Sequence, residues 1–310
     1  MGKIGLGMAA LGRPEYINIK ENTGKDTSIT GFRVNAFKVL DLAYEQGIRF
    51  FDTAPSYGKG EHFLMEWNAA RKHKDVVLST KWGYTYVADW KIGYSGAHEI
   101  KEHSLSKLKA QWETSKDLLP ALAVYQIHSA TFESGVLENQ EVLEELHELK
   151  QNFGLKIGLT VSGSKQNEII VSALQIQCKG VALFDSFQVT YNVFEQSCFE
   201  QLQRIKECGK LIIIKEGLAN GRVFISSKTH EVLSELASKY KVGVDAIALR
   251  FIMDNLDPEI VLSGASEMEH LQDNLKARDF RLNANELELL QKLAMLPENY
   301  WSERSALSWQ

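Results

Sequence analysis

The sequence predicts an α/β fold, a single (β/α)8 TIM barrel spanning residues 1–310. Two observations carry this. Eight short, β-branched apolar runs alternate with amphipathic stretches, and the 310 residues divide into units of about 39. Alternation of this kind requires parallel strands, because each helical crossover returns the chain to the same end of the sheet. An open doubly wound sheet would satisfy the same pattern, but no GxGxxG follows the first strand, where Gly5 and Gly7 give only GxG. No low-complexity segment or compositional break divides the chain, so one domain is expected, with extended loops at the carboxyl face of the barrel.

The strands are predicted at residues 4–8, 48–52, 76–81, 122–128, 156–162, 186–190, 211–215 and 260–263. Between them the apolar spacing is helical: Ala36, Leu40 and Ala43 on one stretch, Leu143, Leu146 and Leu149 on another, Leu233, Leu236 and Tyr240 on a third. Gly47, Gly154 and Gly209 stand just before the next strand, where a left-handed residue closes a helix at least cost. Residues 1–12 contain four glycines and run into Arg13 without a cleavage pattern, so they read as the first strand and not as a signal peptide.

Composition narrows the function. Lys+Arg number 35 against 40 Asp+Glu, a net charge of −5, which makes a poor general binder of nucleic acid or of an anionic membrane. No apolar run approaches the roughly 20 residues of a membrane span. Three cysteines without CxxC spacing argue against a disulfide frame or a zinc site. A cytoplasmic enzyme with no metal is the expectation, its oligomeric state left open.

In such barrels the catalytic groups stand at the carboxyl ends of strands. Those ends carry Asp52, Lys81, His128, Ser162, Gln188 and Lys215, and Tyr57 lies just past the second strand. A phenol with its ordinary pKa near 10 is a weak acid–base at neutral pH. A lysine ammonium about 4 Å away, at an effective dielectric of about 20, supplies about 4 kcal/mol toward pulling it down. A carboxylate would hold that lysine, and a histidine opposite the phenol would polarise a carbonyl oxygen. Such a set suits carbonyl reduction by hydride.

The sequence resembles the aldo-keto reductase family. The likeness runs through residues 51–61 (FDTAPSYGKGE), 78–81 (LSTK), 125–129 (YQIHS), 157–162 (IGLTVS), 188–192 (QVTYN) and 264–266 (GAS) with Asn274, in the family's order along nearly the whole chain. The resemblance implies that Tyr57 is the general acid, that Asp52 and Lys81 tune it, and that His128 orients a small carbonyl or sugar substrate. It implies NADP(H) as the favoured cofactor, with NAD(H) the alternative. Ser162 and Gln188 would hold the nicotinamide carboxamide. Gly264, Ser266, His270 and Asn274 would lie near the adenosine end, and Leu218, Asn220 and Arg222 would form a second phosphate loop. Trp82 and Trp301 are the predicted substrate contacts.

The sequence departs from the family at named positions. Gly163 stands where Asn commonly follows the serine. Lys215-Glu216 replaces the aromatic-Ser that often follows strand seven, and His270 replaces an Arg or Gln on the adenosine phosphate. The chain starts almost directly at strand one, without the hairpin that commonly plugs the barrel bottom. Residues 13–31 are a candidate lid. Two other classes compete with a reductase: a cofactor-binding regulatory subunit on the same fold, and another (β/α)8 enzyme, such as a lyase forming a Schiff base at Lys81 or a carboxylate-based hydrolase.

Overall fold

The computed structural model describes residues 3–16, 26–225 and 227–309. Eight parallel strands close a barrel: β1 Lys3–Gly7, β2 Phe50–Asp52, β3 Val77–Trp82, β4 Leu122–Ile127, β5 Lys156–Thr160, β6 Ser186–Thr190, β7 Leu211–Lys215 and β8 Ile260–Ser263. Neighbours follow chain order and β8 returns to β1. The predicted architecture is therefore the observed one. Part of the proposed lid, residues 17–25, falls outside the described residues.

The helices form where the apolar spacing placed them. Ala36, Leu40 and Ala43 are buried on the helix Ile29–Glu45, which opens at Ser28, whose hydroxyl accepts from the Gly31 amide at 3.0 Å. Leu143, Leu146 and Leu149 are buried on Gln140–Phe153. Gly47, Gly154 and Gly209 take φ of 83°, 67° and 66°, the left-handed geometry expected of them. Strand ends differ from expectation by a residue or two. His128 and Val161 lie just beyond β4 and β5, yet their amides still bond across to the Trp82 and Gln188 carbonyls at 2.9 and 3.0 Å.

Strand pleating sorts the barrel interior into layers, since alternate residues share a face. Phe50, Val124, Ile213, Ile260 and Leu262 form a small apolar cluster of their own, apart from the larger core between strands and helices. Gly5 borders this cluster. A Cβ there would stand 2.9 Å from Ile260 Cγ2 and 3.1 Å from the Phe50 carbonyl, so the close approach excludes a side chain. Two residues further along β2, β4 and β7 come Asp52, Gln126 and Lys215. The interior thus turns from apolar to polar toward the carboxyl end.

Candidate active site

The polar layer is built around Asp52. Lys81 Nζ donates to Asp52 Oδ2 at 2.5 Å and to the Thr53 carbonyl at 2.9 Å. Asp52 Oδ1 accepts from Ser79 Oγ at 2.9 Å, from Gln188 Nε2 at 3.0 Å and from Gln126 Nε2 at 3.4 Å. The Gln188 bond crosses from β6 to β2. Asp52 and Lys81 are both buried, and a buried ion pair of this kind persists only when its remaining lone pairs are satisfied as they are here.

Tyr57 sits on the turn between β2 and the helix Gly60–Arg71. Its amide donates to the Ala54 carbonyl at 3.0 Å, and the Lys59 amide donates to the Gly12 carbonyl at 2.6 Å. Gly12 presses against this turn so closely that a Cβ would fall 2.1 Å from the Tyr57 carbonyl. The Lys81 ammonium lies 4.7 Å from the Tyr57 ring centroid. The His128 ring meets the Tyr57 ring edge-on at 5.6 Å, and Ser56 Oγ lies 3.4 Å from His128 Nδ1.

The electrostatics depart from the sequence expectation in one respect. Burial, with the Asp52 charge second, holds the Tyr57 phenol well above its ordinary range. The Lys81 ammonium, paired with Asp52 at 2.5 Å, does not overcome that burial. The phenol is thereby kept protonated. Burial and then the Lys81, Arg13 and Lys215 charges push the His128 imidazole well below its usual value, so it is neutral. A protonated phenol and a neutral imidazole facing one another form a proton donor and a hydrogen-bonding partner for a carbonyl oxygen. Lys81, salt-bridged to Asp52, lacks the unpaired amine a Schiff-base lysine uses.

The cofactor candidates divide. Lys215 Nζ donates to Ser162 Oγ at 2.8 Å and to Thr190 Oγ1 at 2.7 Å. Gln188 is engaged by Asp52, and Asn274 Nδ2 donates to Ser263 Oγ at 2.8 Å, so both expected cofactor amides are directed at protein partners. Leu218, Asn220 and Arg222 lie on the turn after β7, where Ala219, Asn220 and Gly221 are left-handed. The Arg222 guanidinium stacks 4.1 Å over Tyr300 and bonds the Ala219 carbonyl at 3.0 Å, while its Nη2 is buried with no partner among the described residues. Gly264 and Ser266 lead into the helix Met268–Leu275, and a Cβ at Gly264 would meet none of the described residues within 4 Å. His270 is exposed on that helix. An orphaned guanidinium nitrogen, open space at Gly264 and a helix N-terminus nearby fit an anionic dinucleotide.

The two substrate candidates are placed differently. Trp82 is fully buried, because its neighbour Lys81 points into the barrel and successive strand residues face opposite ways. Trp301 is half-buried and packs against Tyr300 and the outer core. The aromatic near His128 is Tyr84, at 4.7 Å, from the hairpin of Tyr84–Tyr86 with Glu99–Lys101. Sequence reasoning also missed Arg13. It is buried, pairs with Glu99 at 2.7 Å, bonds the Ser56 carbonyl at 3.0 Å and lies 5.3 Å from the Tyr57 ring and 4.7 Å from Trp309. Trp309 in turn stacks on His98 at 4.2 Å. Arg13 and Trp309 are 296 positions apart in the chain, so no local signal announces their contact.

The aldo/keto reductase family model matches residues 3–295. The chain belongs to that family. It is an oxidoreductase of the aldo-keto reductase type, a family of NAD(P)H-dependent carbonyl reductases. AAD14 of Saccharomyces cerevisiae, classed by name with aryl-alcohol dehydrogenases, is 26% identical over 301 residues, covering 83% of this chain and 76% of its own. The holo form of AKR11C1 from Bacillus halodurans superposes with a TM-score of 0.66 at 22% identity, covering 94% of this reductase and 92% of that chain. A single-site mutant of Gox0644, solved in complex with NADPH, gives 0.64 at 21% identity over 94% and 89%. Among the described residues of the reductase, no group of three or more His, Cys, Asp or Glu could hold a metal ion, and no helix is long and apolar enough to cross a membrane.

Proposed function

We propose that this reductase interconverts an aldehyde or ketone and its alcohol, using NADP(H) in preference to NAD(H), with Tyr57 as the general acid. The observation that carries the reading is the protonated Tyr57 phenol beside the Lys81–Asp52 pair and edge-on to a neutral His128. Bound nicotinamide supplies the hydride. His128 hydrogen-bonds the carbonyl oxygen and fixes its orientation. Tyr57 delivers its proton to the oxygen as negative charge develops there, and the Lys81 ammonium stabilises the phenolate left behind. Asp52 keeps Lys81 charged and in place.

On this reading Ser162, Gln188 and Lys215 lie at the nicotinamide end. Leu218, Asn220, Arg222, Gly264, Ser266, His270 and Asn274 lie toward the phosphates and adenosine. Tyr84 offers a flat apolar face beside His128, which suits an aryl carbonyl first and a sugar second. The name of the yeast relative supports the aryl choice. Replacing Tyr57 by Phe tests the assignment. Turnover of an aryl aldehyde falls by about 10²–10⁴, while tryptophan fluorescence still reports NADPH binding. An unchanged rate removes Tyr57 from the mechanism.

A further inference from the structure

Lys215 ends β7 at the position where the family often carries an aromatic residue, and its ammonium is unlike the other lysine of the barrel mouth. Its two close partners, the hydroxyls of Ser162 and Thr190, are neutral. The nearest carboxylate oxygen among the described residues, Glu216 Oε1, lies 3.8 Å away and already accepts from Arg304 Nη2 at 2.9 Å. Two cations therefore share one carboxylate, and a net positive charge faces the mouth. The side chain is 17% accessible, so it is reached from the mouth yet poorly hydrated. Its hydrogen bond falls on Ser162, the hydroxyl assigned to the carboxamide.

We propose that Lys215 makes the site discriminate between the redox states of the nicotinamide, retaining the neutral reduced ring and weakening the hold on the cationic oxidised ring. The inference rests on the reductase reading above, which brings the nicotinamide to Ser162. The two forms of the cofactor have nearly the same shape, but the oxidised ring carries a positive charge. Like charges roughly 5–6 Å apart at an effective dielectric of about 20 repel strongly enough to weaken binding by about tenfold at pH 7, where loss of the Lys215 proton sets the limit. An aromatic residue at this position would repel neither form.

Direction of effect follows from linkage. A site that holds the reduced form more tightly makes the bound cofactor a weaker hydride donor than the free one. What it gains is prompt discharge of the oxidised cofactor, so that turnover is not held up by product. Desolvation lowers the Lys215 pKa to about 8, against which the Glu216 charge acts and to which the Arg304 and Lys81 charges add. The ammonium form still predominates at neutral pH.

The test is a pair of fluorescence titrations, NADPH and NADP+, on the wild type, Lys215→Gln and Lys215→Arg. Glutamine can bond Ser162 and Thr190 without charge, and arginine restores the charge. The wild type is expected to bind NADPH about tenfold more tightly than NADP+ at pH 7. Lys215→Gln should close most of that gap by tightening NADP+, with NADPH changed less than about threefold, and Lys215→Arg should keep the gap open. Equal affinities in the wild type, or a parallel loss of both forms in Lys215→Gln, would overturn the inference and leave the reductase standing. Binding of neither form to the folded wild type would overturn both. The wild-type ratio decides the matter even if a variant fails to fold.

Discussion

Two lysines stand near strand ends on opposite sides of this barrel, Lys81 buried and Lys215 partly exposed, and their surroundings differ. Lys81 on β3 meets a carboxylate at 2.5 Å, which is itself held by Ser79, Gln126 and Gln188. Lys215 on β7 meets two hydroxyls, and its nearest carboxylate is shared with Arg304. One lysine is a fixed part of a neutral pair that frames the phenol. The other is a net charge aimed at the place proposed for the cofactor. The residue type is the same, so the partner on the neighbouring strand decides what the charge can do.

The largest effect should come from breaking the neutral pair. Lys81→Met leaves Asp52 buried and unpaired, and thermal or denaturant unfolding should show a loss of about 3–5 kcal/mol. A cost below about 1 kcal/mol would mean that the pair is not the structural element described.

Removing the other lysine should cost far less, because Lys215→Met strands only neutral hydroxyls. Stability at pH 7 should stay within about 1.5 kcal/mol of wild type. The pH dependence sharpens the contrast. With its folded pKa lowered to about 8, Lys215 binds fewer protons in the native than in the unfolded protein between pH 8 and about 10.4. Its contribution to stability therefore rises with pH across that window. The wild type should gain about 1–3 kcal/mol relative to Lys215→Met over the interval. Parallel stability–pH curves would show that Lys215 is not desolvated.

Smaller effects separate the two faces of β3 and its hairpin. Tyr84→Ala should raise KM for an aryl aldehyde about tenfold. Trp82→Phe should lower the melting temperature with KM unchanged, because Trp82 packs outside the barrel. The reverse pattern would return Trp82 to the substrate site. The smallest effect is expected at His270, exposed on its helix. His270→Ala should change NADPH affinity by less than about threefold, under about 0.7 kcal/mol. A larger loss would give it a direct phosphate contact.

Much of the molecule was legible in the sequence because its signals are local and periodic. The alternation of β-branched runs with helical spacing located all eight strands, and the polar residues at strand ends pointed to Asp52, Lys81 and His128. Trp82 was misplaced although the period of two was available, since adjacent strand residues cannot both face the barrel. The destination of a polar side chain was not legible. Whether Gln188 turns to Asp52 or to a cofactor depends on a carboxylate 136 positions away that strand closure brings to 3.0 Å.

The sequence by itself determined the barrel, the order of its strands and the residue types at its mouth, because hydrophobic periodicity and glycine stereochemistry act over a few residues. Only the tertiary structure decided which charges are matched. Pairing of neighbouring strands placed Asp52 against Lys81 and set Lys215 beside the Thr190 hydroxyl. Bringing the ends of the chain together set Trp309 against Arg13, whose guanidinium also lies 5.3 Å from the Tyr57 ring. Coulomb energy and desolvation depend on distances between residues far apart in the chain, and those distances exist only after the barrel has closed.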